Sequence, residues 1–163
     1  MAKKSKDRKE YISTGVVAHN KKAGFNYAIE DKLEAGIMLT GTEVKSLRLG
    51  HANIIDAYVI EKEGELYISN LYIAEYSHKG YESHQEKRDR KLLLHKKEVI
   101  KLLNALNQKG YTIIATKIYF NKFGKAKVEL GLGKGKKLHD KRETEKQRDW
   151  NRDKARILNN FNQ

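Results

Sequence analysis

Tyr111-Thr-Ile-Ile-Ala-Thr-Lys-Ile-Tyr-Phe120, followed by Asn121-Lys-Phe-Gly124 and by Ala126-Lys-Val-Glu-Leu-Gly-Leu132, is the stretch whose reading decides the fold. Tyr111 to Phe120 is apolar on both faces, as a strand covered on both sides must be. Asn121 to Gly124 supplies turn chemistry. In Ala126 to Leu132, Val128, Leu130 and Leu132 alternate with Lys127 and Glu129, which gives one apolar and one charged face. The two runs predict an antiparallel hairpin in a mainly β domain.

Upstream of the hairpin, Val99, Leu102, Leu103 and Leu106 fall at i, i+3, i+4 and i+7 and predict an amphipathic helix that Gly110 ends. Before it, Ser77 to Lys91 reads as a long mobile loop with a basic edge of Lys87, Arg88, Arg90 and Lys91, closed by Leu92-Leu93-Leu94. Ile54 to Ile60 and Leu66 to Ile73 are rich in β-branched and aromatic residues, and Glu63-Gly64 between them predicts a second hairpin. Gly41 to Arg48 reads as a short helix capped by Thr42, with Val44 and Leu47 inward, Lys45 and Arg48 exposed and Gly50 as its stop. Val16 and Val17 begin the ordered part. His19-Asn20-Lys21-Lys22 is a polar turn, and Phe25, Tyr27 and Ile29 alternate in strand fashion toward Leu33, Ile37 and Leu39. With one clear helix and one short one, the pattern fits a small β-barrel better than a bundle or a parallel α/β sheet.

The chain has 163 residues, enough for one core and an appendage. A formal net charge of +13 with 34% charged residues points to polyanionic partners, nucleic acid first. There is no Cys, which excludes disulfides, thiolate metal sites and Cys nucleophiles together. No apolar run approaches a membrane span and Met1 to Glu10 lacks an apolar signal core, so the expected location is the cytoplasm. The expected organisation is a disordered basic leader over 1–14, a barrel over 15–132 and a basic tail over 133–163.

The tail carries ten cations between Lys134 and Arg156 against five anions, and few large apolar residues. Ordering each residue costs roughly 1–2 kcal/mol of backbone entropy, so the free tail is expected to be disordered. A latent helix starts near Glu143: Glu143/Lys146, Glu145/Arg148, Asp149/Arg152 and Asp153/Arg156 repeat at i,i+3, and Trp150, Ile157, Leu158 and Phe161 form a thin apolar stripe. The tail is built to fold on a polyanion, or it is a solvated basic appendage.

Other motifs carry less. Gly131, Gly133 and Gly135 lack the Ser or Thr of a Walker loop after Lys136 and read as a hinge. The six histidines show no i,i+4 pair, and no metal site or cofactor is expected. Glu34, Glu43 and Asp56 are isolated carboxylates of the kind that hold a neighbouring Lys or Arg, so no catalytic residue is assigned. Of the nine tyrosines, Tyr58, Tyr67, Tyr72 and Tyr119 are expected to pave the barrel, while rings left exposed could stack on bases.

Three blocks, Gly41-Thr-Glu-Val-Lys-Ser-Leu-Arg48, Arg90-Lys-Leu-Leu-Leu94 with Gly110-Tyr111, and Gly131-Leu-Gly-Lys-Gly-Lys-Lys-Leu-His-Asp-Lys-Arg142, together resemble the SmpB family of SsrA-binding proteins. The resemblance runs from about Val16 to Leu158. It implies an oligonucleotide-binding-fold barrel with a tail unfolded when free and helical on binding. It also implies a non-enzymatic, monomeric partner of transfer-messenger RNA in trans-translation. With the elongation factor that delivers aminoacyl-tRNA, the pair enters stalled ribosomes. The implied RNA-gripping positions are Asn20, Lys21, Glu34, Arg48, Leu93 and Lys127. The implied tail positions in the decoding centre and mRNA channel are Lys134, Lys136, Lys137, His139, Asp140, Lys141 and Arg142, with Trp150, Ile157 and Leu158 on the following helix. Gly133 stands where a residue with a side chain is expected, which implies a loose hinge. A general ribosomal or structured-RNA-binding protein, and a nucleic-acid-processing enzyme, are the alternative classes.

Overall fold

The structure, a computed structural model, describes residues 11–77, 80 and 83–161. Most of the expected leader (1–10) and four residues of the expected loop (78, 79, 81 and 82) lie outside the described residues. In chain order the elements are β1 (Gly15–His19), α1 (Ala23–Asn26), β2 (Tyr27–Ile37), α2 (Gly41–Arg48), β3 (Ala52–Asn53), β4 (Tyr58–Lys62), β5 (Glu65–Ser69), β6 (Tyr72–Ile73), β7 (Arg90–Leu93), α3 (Lys96–Leu106), β8 (Tyr111–Phe120), β9 (Ala126–Gly135) and α4 (Leu138–Phe161).

The β8–β9 hairpin is as its alternation predicts, with Phe120 opposite Ala126 and Tyr119 opposite Lys127. From it the antiparallel sheet closes: β8 pairs with β4, β4 with β5, β5 with β7, β7 with β2, β2 with β9, and β9 returns to β8. The second half of β8 also carries β1. Closure leaves few free edges, and the inward side chains, among them Ile68, Ile113, Ile118, Val128 and Leu130, form one core to which α2 adds Leu47 and α3 adds Leu102. The β4–β5 hairpin turns through Glu63 and Gly64, both at positive φ (52° and 78°), the conformation of a tight turn matched to strand twist.

Several local expectations are corrected. Phe25 belongs to the single turn of α1 rather than to β2, which starts at Tyr27. The cap of α2 is Thr40, not Thr42: Thr40 and Glu43 make a reciprocal capping box, and the Thr42 hydroxyl meets Nδ1 of the buried His84 at 2.8 Å. The supposed basic loop ends in strand β7, and two of its cations face inward. Arg90 is fully buried and donates through Nε to Glu43 Oε1 at 2.8 Å and through its η nitrogens to the carbonyls of Leu71, Gln85, Glu86 and Arg88. Arg88 donates to both oxygens of the same carboxylate at 2.8 Å. Glu43 is thus one of those carboxylates that hold arginine, and it ties α2 to β7 and its approach.

The glycines are not a hinge. Gly131, Gly133 and Gly135 are paired in β9, opposite Lys32, Ile29 and Tyr27 of β2, so the strand passes three residues beyond 132. At Gly133, where β2 carries a bulge between Ile29 and Asp31, a Cβ would lie 2.2 Å from the Ala28 carbonyl oxygen. Lack of a side chain there tightens the sheet instead of loosening it. Gly133→Ala is expected to destabilise the barrel by about 1–3 kcal/mol, read as a lowered urea midpoint. An unchanged midpoint would mean that β2 yields freely at its bulge.

Candidate nucleic-acid interface

Antiparallel pairing puts partners on the same side of a sheet, so the register generates a row across five strands on the outer wall. Val16 of β1, Tyr119 of β8, Lys127 of β9, Gly36 of β2 and Leu93 of β7 stand side by side. The next row holds Lys117, Glu129 and Glu34. Gly36 has a steric role: a Cβ there would lie 3.1 Å from the Cβ of Leu93, so its absence lets Leu93 settle across β2 while staying 51% exposed. Beside this row a groove of ≈ 750 Å³ runs between β2, β7 and the start of α3, with Glu34, Leu93, His95, Lys96 and Lys127 on its walls.

The two carboxylates here differ. Glu129 is saturated, with Thr116 Oγ1 at 2.8 Å and Lys117 and Lys32 at 3.1 and 3.3 Å; burial pushes its carboxyl up, but these partners outweigh burial and hold it below the usual range. Glu34 accepts a hydrogen bond from the Tyr119 phenol on Oε2 and has Lys127 Nζ 3.9 Å from Oε1. Its outer side remains open to solvent, so it can still accept from a ligand. Burial first, then the Glu34 carboxylate, pushes the Tyr119 phenol well above its ordinary value, which keeps it a neutral donor.

Thus Glu34, Leu93 and Lys127 come together, and the other three expected RNA-gripping positions do not join them. Asn20 is 4% exposed; its Nδ2 donates to the carbonyls of Ile55 and Ala115 at 3.2 and 3.3 Å, and its Oδ1 accepts from the Lys22 amide, so its side chain fixes the turn before α1. Lys21 is exposed on that turn, in a depression shared with Phe25 and, from α4, Glu145 and Arg148. Arg48 donates to the carbonyls of Ile12, Ser13 and Gly124 and lies 4.3 Å from the Phe120 ring centroid, clamping the entry of the chain onto the barrel.

The tail positions divide likewise. Lys134 lies in β9, 4.6 Å over the Tyr111 ring. Lys136 donates from Nζ to Gly24 O at 2.9 Å and to Thr144 Oγ1 at 3.1 Å. The helix begins at Leu138, five residues ahead of the expected start, because this clasp and the Phe25 ring, with Lys141 at 6.0 Å and Arg148 at 5.5 Å, hold its first turns against α1. Lys137 and Arg142 are exposed. His139 reaches Asp140 at 3.0 Å and Glu143 at 3.6 Å. These three are the one group among the described residues with ligand atoms close enough (within 4.8 Å) to share a cation, and they lie on the outside of the helix. Asp149–Arg152 and Asp153–Arg156 form the expected i,i+3 pairs, while Trp150, Ile157 and Leu158 are 67%, 55% and 54% exposed. No helix among the described residues is long and apolar enough to cross a membrane.

Tyr119 is the site residue that reading by residue type misses, since it counts there among the rings paving the barrel. Its signal is the hairpin itself: a turn closed between Asn121 and Lys125, with Phe123 at its centre, pairs Tyr119 with Lys127.

Residues 17–160 match the family model described as SmpB protein. An SsrA-binding protein of Methylobacterium nodulans is 58% identical over 143 residues, covering 88% of this chain and 91% of its own. One from Afipia carboxidovorans is 55% identical with the same coverage. Among solved structures, a chain from one described as "tmRNA-SmpB: a journey to the center of the bacterial ribosome" superposes with a TM-score of 0.64 at 47% identity, covering 77% of this chain and 86% of that one.

Proposed function

The chain belongs to the SmpB family of SsrA-binding proteins, and from that premise we propose that it binds the tRNA-like domain of transfer-messenger RNA and enables rescue of stalled ribosomes by trans-translation. The barrel grips the RNA through the face around Glu34, Lys127 and Leu93. The tail enters the decoding centre and mRNA channel of the small subunit, in place of the missing codon–anticodon helix, once the elongation factor that carries aminoacyl-tRNA has delivered the complex. The protein acts by binding, without a catalytic residue of its own.

The observation that carries this reading is the pair of adjacent rows on the outer wall, where a cation, an anchored carboxylate with an open side, and an exposed Leu converge on a chain of net charge +13. Phosphate contacts give affinity, and a fixed acceptor gives selectivity, because phosphates repel it and it is satisfied only by donors such as the N–H groups of base edges or a ribose hydroxyl. Asn20 and Arg48 serve this face indirectly, through the fold.

The test is direct binding to the isolated tRNA-like domain against an ordinary structured RNA of equal length at moderate salt. Lys127→Ala is expected to weaken binding and flatten the salt slope by roughly one unit. Glu34→Ala removes a negative charge from a basic surface, so simple electrostatics would tighten binding; weaker binding is expected, because an acceptor is lost. Tighter binding by Glu34→Ala, or equal affinity for the two RNAs, would refute the reading.

A further inference from the structure

Lys127 Nζ, Glu34 Oε1 and Glu34 Oε2 present, in that order, a donor and two acceptors, with the far acceptor pinned by the Tyr119 hydroxyl. We infer that this triplet reads the pairing edge of an unpaired guanine and that Tyr119 is the residue that positions Glu34 for it. The inference rests on the reading of this face as the RNA-gripping one.

Guanine presents the complementary order on its pairing edge: the O6 acceptor, then the N1–H and N2–H donors. It is the only standard base that offers two adjacent N–H groups to one carboxylate. Cytosine would set N3 and O2 against the carboxylate, uracil would set a carbonyl on either side of its single N–H, and adenine would give one donor. Carboxylate–N–H bonds are charge-assisted, so each mismatch loses a strong bond or creates a repulsion. Duplex RNA hides this edge, whereas bases splayed from loops expose it, which fits recognition of a folded RNA by its unpaired nucleotides. Gly36 keeps the floor of the site low, and Leu93 offers an apolar surface for the flat of a base.

Tyr119 matters because an exposed Glu has rotamer freedom and an ammonium nearby onto which it could collapse. The ring is fixed by pairing of β8 with both β1 and β9, and Lys117 lies 5.6 Å from its centroid. Its single hydroxyl proton goes to Oε2, which holds the carboxylate plane outward. A phenol keeps this proton at neutral pH, and burial with the Glu34 carboxylate beside it pushes its pKa further up.

The experiment uses the full chain and transcripts of the tRNA-like domain in which each unpaired guanosine is replaced in turn by inosine, which keeps O6 and N1–H but lacks the N2 amino group. At one position inosine is expected to weaken wild-type binding roughly tenfold, and the same substitution should cost less than about threefold in Glu34→Ala and in Tyr119→Phe. A merely structural role for Tyr119 would lower affinity for both RNAs equally and leave the inosine penalty intact, which would overturn its positioning role. If no inosine penalty depended on Glu34 while wild type still bound the domain selectively, the guanine reading would be wrong and the RNA-binding one would stand. Loss of selective binding by wild type itself would remove both.

Discussion

Glu43→Gln is expected to lower the stability of the barrel by about 3–5 kcal/mol at neutral pH, although the replacement has nearly the same volume. The carboxylate is fully buried and takes hydrogen bonds from Arg88, Arg90 and the Thr40 amide. Burial alone would push its carboxyl up, but the Arg88 bonds, the Thr40 amide and the Arg90 charge together outweigh burial and hold it at about 2, against an ordinary 4.5. A group with a depressed pKa stabilises the fold fully above its unfolded value, and that contribution is lost as pH falls from about 4.5 toward about 2. The gap between wild type and Glu43→Gln should therefore be constant from neutrality down to that window and close within it. Urea titrations followed by far-UV circular dichroism read this, since Trp150 is in the exposed tail helix and reports poorly on the core. A midpoint unchanged at neutral pH would show that the two arginines find other partners. RNA affinity of the folded fraction should hold, because the network supports Leu93 only through β7.

How far the sequence carries the argument can be seen element by element. The β8–β9 and β4–β5 hairpins and α3 are legible because their signals are local: alternation, turn residues at fixed offsets, and a 3.6-residue period. Strand β7 is not, because four residues give no period and its first residue is a buried arginine, a charge inside the fold that only a distant partner on α2 makes tolerable. Asn20 and Arg48 look like surface contacts by type. Their hydrogen bonds to Ala115 and Gly124, 95 and 76 residues away, are set by packing that no local pattern encodes. The proposed RNA face is intermediate. Tyr119 with Lys127 follows from one hairpin register, whereas bringing Glu34 and Leu93 beside them requires the register of two more strand pairs and the absence of a side chain at Gly36. Gly133 shows the converse: a glycine that suggests looseness in one dimension is demanded by contact in three.

Changes in the tail helix are expected to separate RNA binding from activity. It is attached to the body through Lys136, Thr144 and the Phe25 ring, in its N-terminal half, whereas Trp150, Ile157, Leu158 and Phe161 leave a line of large apolar surface in solvent. Exposed i,i+3 pairs add only ~0.2–0.5 kcal/mol each and most helical stability in proteins comes from packing an apolar face, so on the proposed function that line is where a partner would fix the helix. Burying one Ile or Leu is worth roughly 1.5–3 kcal/mol, so Ile157→Asp with Leu158→Asp, which forfeits both, should reduce peptide tagging on stalled ribosomes by at least about a hundredfold. Replacing Asp140, Lys141 and Arg142 together by alanine should act in the same direction by removing the charges proposed to dock the start of the helix. Both sets of variants should keep affinity for the tRNA-like domain within about twofold, since Glu34, Lys127 and Tyr119 lie on the barrel and such changes on an exposed helix cost the fold little. The two quantities must be measured on the same preparations. Equal losses in affinity and tagging would make the tail an extension of the RNA grip, and full tagging by the aspartate variant would leave it a solvated appendage.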